Sequence, residues 1–212
     1  MNPKKIHYKA LADTIIENFK KRQIDGYYCA TAGEAVSLAN SFLRKGAAAG
    51  FGGSMTLEET GMLDSLRANP DITLYDRSKA GSQEEIAAIY RKCFSADYYF
   101  MSANAITLDG ELVNIDGTGN RVAALIYGPN EVIVLAGMNK VAGSIDEAVS
   151  RIHNAAAPPN GVRLNRKTPC AVTGKCTDCL SPDCMCSQTV ITRRSGIAGR
   201  IKVILIGETL GY

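Results

Sequence analysis

A repeated pattern of a short apolar run followed by a helix-capping motif constrains the fold of this chain more than any other feature. In each motif a Ser or Thr stands three residues before a Glu. This pattern is the capping box, which begins many helices. The boxes begin at Thr31, Thr56, Ser82 and Ser144. Alternation of short apolar runs with helices is typical of an α/β protein with a parallel sheet. The sequence therefore predicts an open, mostly parallel sheet flanked by helices.

Residues between the capping boxes give the individual elements. Leu11, Ile15 and Phe19 recur at helical spacing and predict an N-terminal helix. Apolar runs of strand length predict strands at 27–30, 47–54, 72–75, 97–101 and 132–135. After Ser144 begins the last long helix, Pro158-Pro159 is expected to end it, and 189–192 and 201–206 predict two strands joined by a glycine-containing turn.

Residues 102–140 contain the polar turns of the chain. Asp109-Gly110 lies between strand-like residues, which predicts a hairpin over 105–115 with Asp109 as a residue of a type I′ turn. A second turn at 116–120 leads into 121–127, a segment whose periodicity fits a helix or a strand. The Gly128-Pro129 stop and the apolar run after it favour a helix.

Composition and charge exclude several classes of protein. The chain has 212 residues, 46% of them hydrophobic, and we expect it to form one domain over 1–212. A formal net charge of +3 without a sustained basic stripe argues against a nucleic-acid or membrane surface. No secretory signal and no apolar run of about 18 residues is present, so we expect a cytoplasmic protein without membrane insertion. A homo-oligomer is left open.

Five of the seven cysteines fall within the segment 168–187. They are Cys170, Cys176, Cys179, Cys184 and Cys186. In a cytosolic protein such clustering favours metal or redox chemistry over disulfides, and four thiolates can hold a zinc ion or an iron–sulfur cluster. We take Cys170, Cys176, Cys179 and Cys186 as the metal ligands and leave Cys184 spare. The alternative is a set of reduced thiols without a metal.

A glycine-rich loop precedes the second capping box. A strand, the turn at Gly52-Gly53 and a helix beginning near Ser54 or Thr56 would place backbone N–H groups where an anion can bind. The loop matches neither a dinucleotide-binding fingerprint nor a phosphate-binding P-loop. The alternative is that its glycines serve only a tight turn.

Several short motifs together resemble one protein family. They are Gly-Gly-Ser-Met-Thr-Leu at 52–57, Ser-Ala-Asn-Ala-Ile-Thr at 102–107, the Asp-Gly to Gly-Asn-Arg-Val block at 109–122, Ala-Gly-x-Asn-Lys at 136–140, Thr-Pro-Cys at 168–170 and Gly-Glu-x-Leu-Gly at 207–211. On these motifs the chain resembles the LUD-domain family, which includes lactate-utilisation proteins. The resemblance implies the open α/β fold shared by glucosamine-6-phosphate deaminase, ribose-5-phosphate isomerase and CoA-transferases. It also implies a role, alongside other lactate-utilisation proteins, in oxidising L-lactate to pyruvate.

In an open α/β sheet, ligands bind beyond the carboxyl ends of the strands. We therefore expect the loops at 50–56, 102–104, 116–121 and 137–140 to converge on one cleft. The candidate catalytic carboxylates are Asp116 and Glu58. The candidate ligand-binding residues are Gly52, Gly53, Ser54, Thr56, Asn104, Gly117, Gly119, Asn120, Arg121, Asn139 and Lys140. Among them Arg121 and Lys140 would hold a carboxylate or phosphate, unless they form structural ion pairs.

Three functions are compatible with these features. The first is a component of a multi-protein lactate-oxidising system. The second is a binding protein or enzyme for a small phosphorylated, CoA-linked or carboxylate compound. The third is a zinc-stabilised regulatory or interaction module, in which the cysteine segment is structural.

Overall fold

The structure is a computed structural model that describes residues 2–212. Across these residues it has nine α-helices and ten strands, numbered here in chain order. The helices are α1 Pro3–Lys21, α2 Ala32–Ser41, α3 Met55–Glu59, α4 Met62–Ala68, α5 Gln83–Cys93, α6 Asn120–Ile126, α7 Ile145–Arg151, α8 Ala157–Arg163 and α9 Pro169–Thr173. The strands are β1 Asp25–Cys29, β2 Ala48–Phe51, β3 Thr73–Tyr75, β4 Tyr98–Met101, β5 Ala105–Thr107, β6 Leu112–Asp116, β7 Glu131–Gly137, β8 Val141–Ala142, β9 Gln188–Thr192 and β10 Ile201–Ile206.

Six strands form the large sheet, in the order β1-β10-β7-β4-β2-β3. Every neighbouring pair in this sheet is parallel. The central strands β4, β7 and β10 are buried almost throughout, as expected of parallel strands covered on both faces. The predicted open parallel sheet flanked by helices is therefore confirmed.

Alternate residues of the central strands pack against helices on opposite faces of this sheet. On one face Tyr99, Val134 and Val203 pack against the buried side chains of α1, α5 and α6. On the other, Phe100 and Leu135 pack against those of α2, α3 and α4. Successive strand side chains point to opposite faces, so these strands supply two separate apolar layers.

Four further strands form a smaller sheet in the order β8-β5-β6-β9. Strands β5 and β6 are the predicted hairpin, with Ala105 opposite Val113. The turn is not type I′, because Gly110 has a positive φ of 87° and Asp109 is not among the residues with a positive φ. Instead the Gly110 N–H donates to the Thr107 carbonyl and the Thr107 N–H to the Glu111 carbonyl. This is a three-residue loop with a left-handed glycine bulge.

Pro158-Pro159 does not end the last long helix, contrary to the sequence prediction. Helix α7 continues through one wide π-type turn, Ile152–Ala156, and α8 carries both prolines in its first turn. Proline is tolerated there because the N–H groups of a first turn need no acceptor within the helix.

Strands β9 and β10 are not the pair that their closeness in sequence suggested. Strand β9 pairs with β6 in the small sheet, whereas β10 lies between β1 and β7 in the large one. The segment between them therefore crosses from one sheet to the other.

The structure also corrects the second capping box. Ser54 rather than Thr56 caps α3, and its Oγ accepts a hydrogen bond of 3.3 Å from the Leu57 N–H. Thr56 lies inside the helix and is buried.

Across residues 2–212, no helix is both long enough and apolar enough to cross a membrane.

Candidate functional site

Three neighbouring parallel strands end at the same edge of the large sheet and position a cavity of about 330 Å³. The loops after β2, β4 and β7 begin at Gly52, Ser102 and Met138. The turn after β6 reaches the same place, because it begins at Asp116, which also lines the cavity. All four loops expected to converge contribute to the lining, as the rule for ligand sites in open α/β sheets predicts.

Many of the residues proposed from the sequence line this cavity. They are Gly53, Ser54, Asn104, Asp116, Gly117, Asn120, Arg121 and Lys140. Thr56 and Gly52 lie behind the wall, where the Thr56 Oγ1 contacts Lys140 and Gly52 leaves room for the Arg121 side chain. Gly119 begins α6 with a positive φ of 87°.

Glu58 and Asn139 do not line the cavity. Helix α3 buries Thr56 and Leu57, so Glu58, one position further, falls on the exposed side of the helix. The Asn139 Oδ1 instead accepts a hydrogen bond of 3.0 Å from the Leu210 N–H, which ties down the C-terminal residues. The position of Glu58 therefore gives no support to a catalytic role, and Asn139 serves to hold the chain.

Arg121 is a buried cation with every donor occupied. Its Nε donates to the Asp116 Oδ2 at 3.1 Å, and its two terminal nitrogens donate to the side chains of Asn114 and Asn104 and to the carbonyls of Ser102 and Ile115 at 2.6–3.0 Å. A guanidinium has five N–H donors, so none is left for an anion. Arg121 fixes the loops that build the cavity rather than holding a ligand.

Asp116 is engaged in the same network. Its Oδ1 accepts from the Gly119 N–H at 2.7 Å while its Oδ2 accepts from Arg121, and its side chain is 9% exposed. Both oxygens thus hold the turn that begins α6. Asp116 lies at the cavity as predicted, but both of its oxygens already accept hydrogen bonds that hold the turn in position.

Lys140 is a buried cation of a different kind. It ends the short 3-10 helix Met138–Lys140 and is 4% exposed. Its Nζ donates to the Thr56 Oγ1 at 2.8 Å and to the Ser102 Oγ at 3.0 Å. Burial, with the nearby charges of Arg151 and Arg121, lowers the pKa of the Lys140 amine to about 7.

Arg77 lines the cavity although no sequence motif points to it. Its Nη1 donates to the Tyr90 hydroxyl at 2.9 Å, and its guanidinium lies over the Tyr90 ring. Among residues 2–212 no carboxylate forms an ion pair with Arg77. Arg163 and Arg166 also line the cavity. No motif marks these residues, because separate parts of the fold bring them together.

The cysteine segment borders the cavity through Cys186. The Cys176 Sγ lies 3.4 Å from the Nδ1 of His153, a contact that no sequence motif predicts. Burial and then the neighbouring thiols of Cys184, Cys176 and Cys170 raise the pKa of Cys186 to about 12. Within residues 2–212, however, no three His, Cys, Asp or Glu side chains are arranged to hold a metal ion. Binding of a metal by Cys170, Cys176, Cys179 and Cys186 stays a prediction.

Comparison with known proteins agrees with the sequence motifs. The profile of the LUD domain matches residues 12–206. A crystal structure of a DUF162-family protein from Deinococcus radiodurans is similar over 95% of this chain and 98% of that one, with 12% identity and a TM-score of 0.50. At this identity the likeness concerns the fold alone.

Two eIF2B subunits from Chaetomium thermophilum match about half of the chain. The match to the delta subunit covers 52% of this chain and 48% of that subunit, with 21% identity and a TM-score of 0.34. The match to the beta subunit covers 54% of this chain and 44% of that subunit, with 14% identity and a TM-score of 0.35. No curated protein sequence matches.

Proposed function

The chain belongs to the LUD-domain family, and from this premise we propose that it binds a small carboxylate or phosphate compound in the cavity at the sheet edge. The observation that carries the proposal is the charge of the lining. Arg77, Arg163 and Arg166 line the cavity, whereas its one carboxylate side chain, within residues 2–212, is that of Asp116, which is already paired with Arg121.

Arg77 is the best anchor for the anion. The exposed Arg163 already donates to the Asn160 side chain, and Arg166 lies 3.8 Å from the Asp183 carboxylate. Arg77 is partly buried, is oriented by Tyr90 and lacks a carboxylate partner within residues 2–212. A planar guanidinium held in this way suits two parallel hydrogen bonds to a carboxylate or phosphate.

Family membership suggests which compounds to consider first. We propose that the ligand is a small acid of the lactate–pyruvate type and that the protein supports L-lactate oxidation together with other lactate-utilisation proteins. The size of the cavity, about 330 Å³, is at the lower end of small-molecule sites.

Calorimetry and thermal-shift measurements with L-lactate, pyruvate, sugar phosphates and acyl-CoA test this function. We expect at least one of these compounds to bind the wild type. Arg77→Gln should weaken the affinity for that compound by about 10- to 100-fold, since a hydrogen bond to a charged group contributes roughly 1.5–3 kcal/mol. Arg91→Gln is the matched control, because this substitution removes the same charge from the exposed side of α5. Binding of none of the four, or equal binding by both variants, would contradict the proposal.

A metal in the cysteine segment is a separate proposal. It is supported by the five cysteines of 168–187, four of which could hold a zinc ion or an iron–sulfur cluster. Elemental analysis of anaerobically purified protein distinguishes iron, zinc and neither.

A further inference from the structure

Lys140 lacks the partner that a buried lysine normally requires. Its Nζ contacts two hydroxyl groups, those of Thr56 and Ser102, and no carboxylate of residues 2–212 forms an ion pair with it. A buried ammonium group without a counter-charge costs folding free energy. A structural role is therefore a poor explanation for this side chain.

The surroundings of Lys140 shift its protonation equilibrium towards the neutral amine. Burial is the largest effect that lowers its pKa, Arg151 of α7 and Arg121 of α6 add to it, and Glu59 of α3 opposes it. The two hydrogen bonds from Nζ use both hydrogens of an NH₂ group and leave its lone pair free. A desolvated lysine beside cationic groups is a common form of amine nucleophile.

We propose that Lys140 forms a reversible imine with the carbonyl group of a 2-oxo acid bound in the cavity. This inference rests on the proposed function, since the carboxylate of the acid needs the cationic lining. It goes further by assigning a covalent step to one residue. Lys140 lines the cavity together with Ser102 and Arg77, so amine, hydroxyl and guanidinium meet one ligand.

The step is balanced without a further reactant. The Nζ lone pair attacks the carbonyl carbon, the C–N bond forms, and the C=O bond opens to a carbinolamine. The former carbonyl oxygen then leaves as water with two protons that the nitrogen gives up, and the C=N bond forms. The Ser102 hydroxyl lies 3.0 Å from Nζ and also contacts the Thr56 hydroxyl at 3.3 Å, which places it to relay a proton between nitrogen and oxygen.

Reductive trapping tests this inference. Wild-type protein is incubated with pyruvate and cyanoborohydride, and its intact mass and peptides are analysed. We expect one adduct, equal to pyruvate less one water plus two hydrogens, on the peptide that contains Lys140. L-lactate is the matched control ligand, because it has the carboxylate but no carbonyl. The adduct should be lost in Lys140→Met and kept in Lys45→Met, since Lys45 is an exposed lysine paired with Asp71.

Peptide mapping of the wild type does not depend on how a variant folds. No adduct at Lys140, or an adduct spread equally over exposed lysines, would overturn the inference. If pyruvate binds in calorimetry but is not trapped at Lys140, the proposed function stands and the imine does not. If pyruvate neither binds nor is trapped while another anion binds, the cavity takes a different acid and the imine with a 2-oxo acid is wrong.

Discussion

Two buried basic residues at one cavity have opposite roles, and the hydrogen-bond partners of each residue determine its role. Arg121 meets a carboxylate, two side-chain amides and two carbonyl groups, so it is fully satisfied. Lys140 meets two hydroxyls, so no carboxylate among residues 2–212 pairs with its amine when it is protonated. Both residues were candidates for anion binding in the sequence. The contacts make Arg121 part of the scaffold and leave Lys140 available for chemistry.

The low pKa of Lys140 predicts how stability depends on pH. The folded value of about 7 lies below the ordinary value of 10.5, so between these two pH values the folded protein binds fewer protons than the unfolded chain. The contribution of Lys140 to the free energy of unfolding therefore rises with pH across this window. We expect Lys140→Met to be most stable relative to wild type near pH 6, with the difference shrinking towards pH 10.

Urea denaturation of both proteins at several pH values measures this effect. Taking the difference between the two cancels other groups that titrate in the same range, such as Cys93, whose pKa burial raises to about 11. A difference in unfolding free energy that stays constant from pH 6 to 10 would show that Lys140 keeps an ordinary pKa.

At the scale of elements, the packing of α5 against the large sheet depends on one glycine. Gly50 lies in β2, and a Cβ added there would clash with the Cys93 Sγ of α5 and come 3.1 Å from its Cβ. Cys93 is buried in the core. The small residues of β2 thus permit the helix to approach the strand closely.

Gly50→Ala should therefore destabilise the protein by about 1–3 kcal/mol, as overpacking of a core does. Cys93→Ala in the same chain should restore part of the loss, because it removes the sulfur that clashes. Chemical denaturation of the two single variants and the double variant gives the coupling. Gly33→Ala is the control, since nothing lies within 4 Å of a Cβ there and a helix favours alanine. Additive effects of the Gly50 and Cys93 substitutions would argue against the clash.

The continuous run from α7 to α8 explains why part of the site could not be predicted. The two prolines indicated an end to the helix, but the π-type turn before them lets the helical path continue. Helix α8 then carries Arg163 to the cavity, and Arg166 follows it. Helical patterning alone does not reveal a π-type turn, so these two cationic residues stayed outside the predicted site.

At the scale of the whole molecule, the C-terminal residues close the site from a distant part of the chain. The Leu210 N–H donates to the Asn139 Oδ1 at 3.0 Å, and the Gly211 N–H donates to the Glu59 Oε2 at 2.6 Å. Tyr212 then lines the cavity. Segments about 70 and 150 positions apart in sequence are thus joined behind one wall.

Asn139→Ala should loosen this closure. Loss of the acceptor leaves the Leu210 N–H unpaired, and we expect a loss of about 1–3 kcal/mol in stability together with faster hydrogen exchange at residues 208–212. Asn154→Ala is the matched control, because the exposed Asn154 donates to Ser150, four residues before it in the same helical run. Unchanged exchange at Leu210 in Asn139→Ala would mean that other contacts hold the C-terminal residues.

The sequence by itself determined the class of fold, the hairpin, most helix starts and the four loops of the cavity. Apolar periodicity, capping boxes and glycine turns are local properties, and each is visible within a few residues. Tertiary structure decided which polar groups became partners. It satisfied Arg121 with atoms from two segments, 102–104 and 114–116, left Lys140 with two hydroxyls, turned Glu58 to solvent and brought Arg77 to the cavity. Burial and pairing depend on contacts between distant residues, and these set the charge and the pKa of a site.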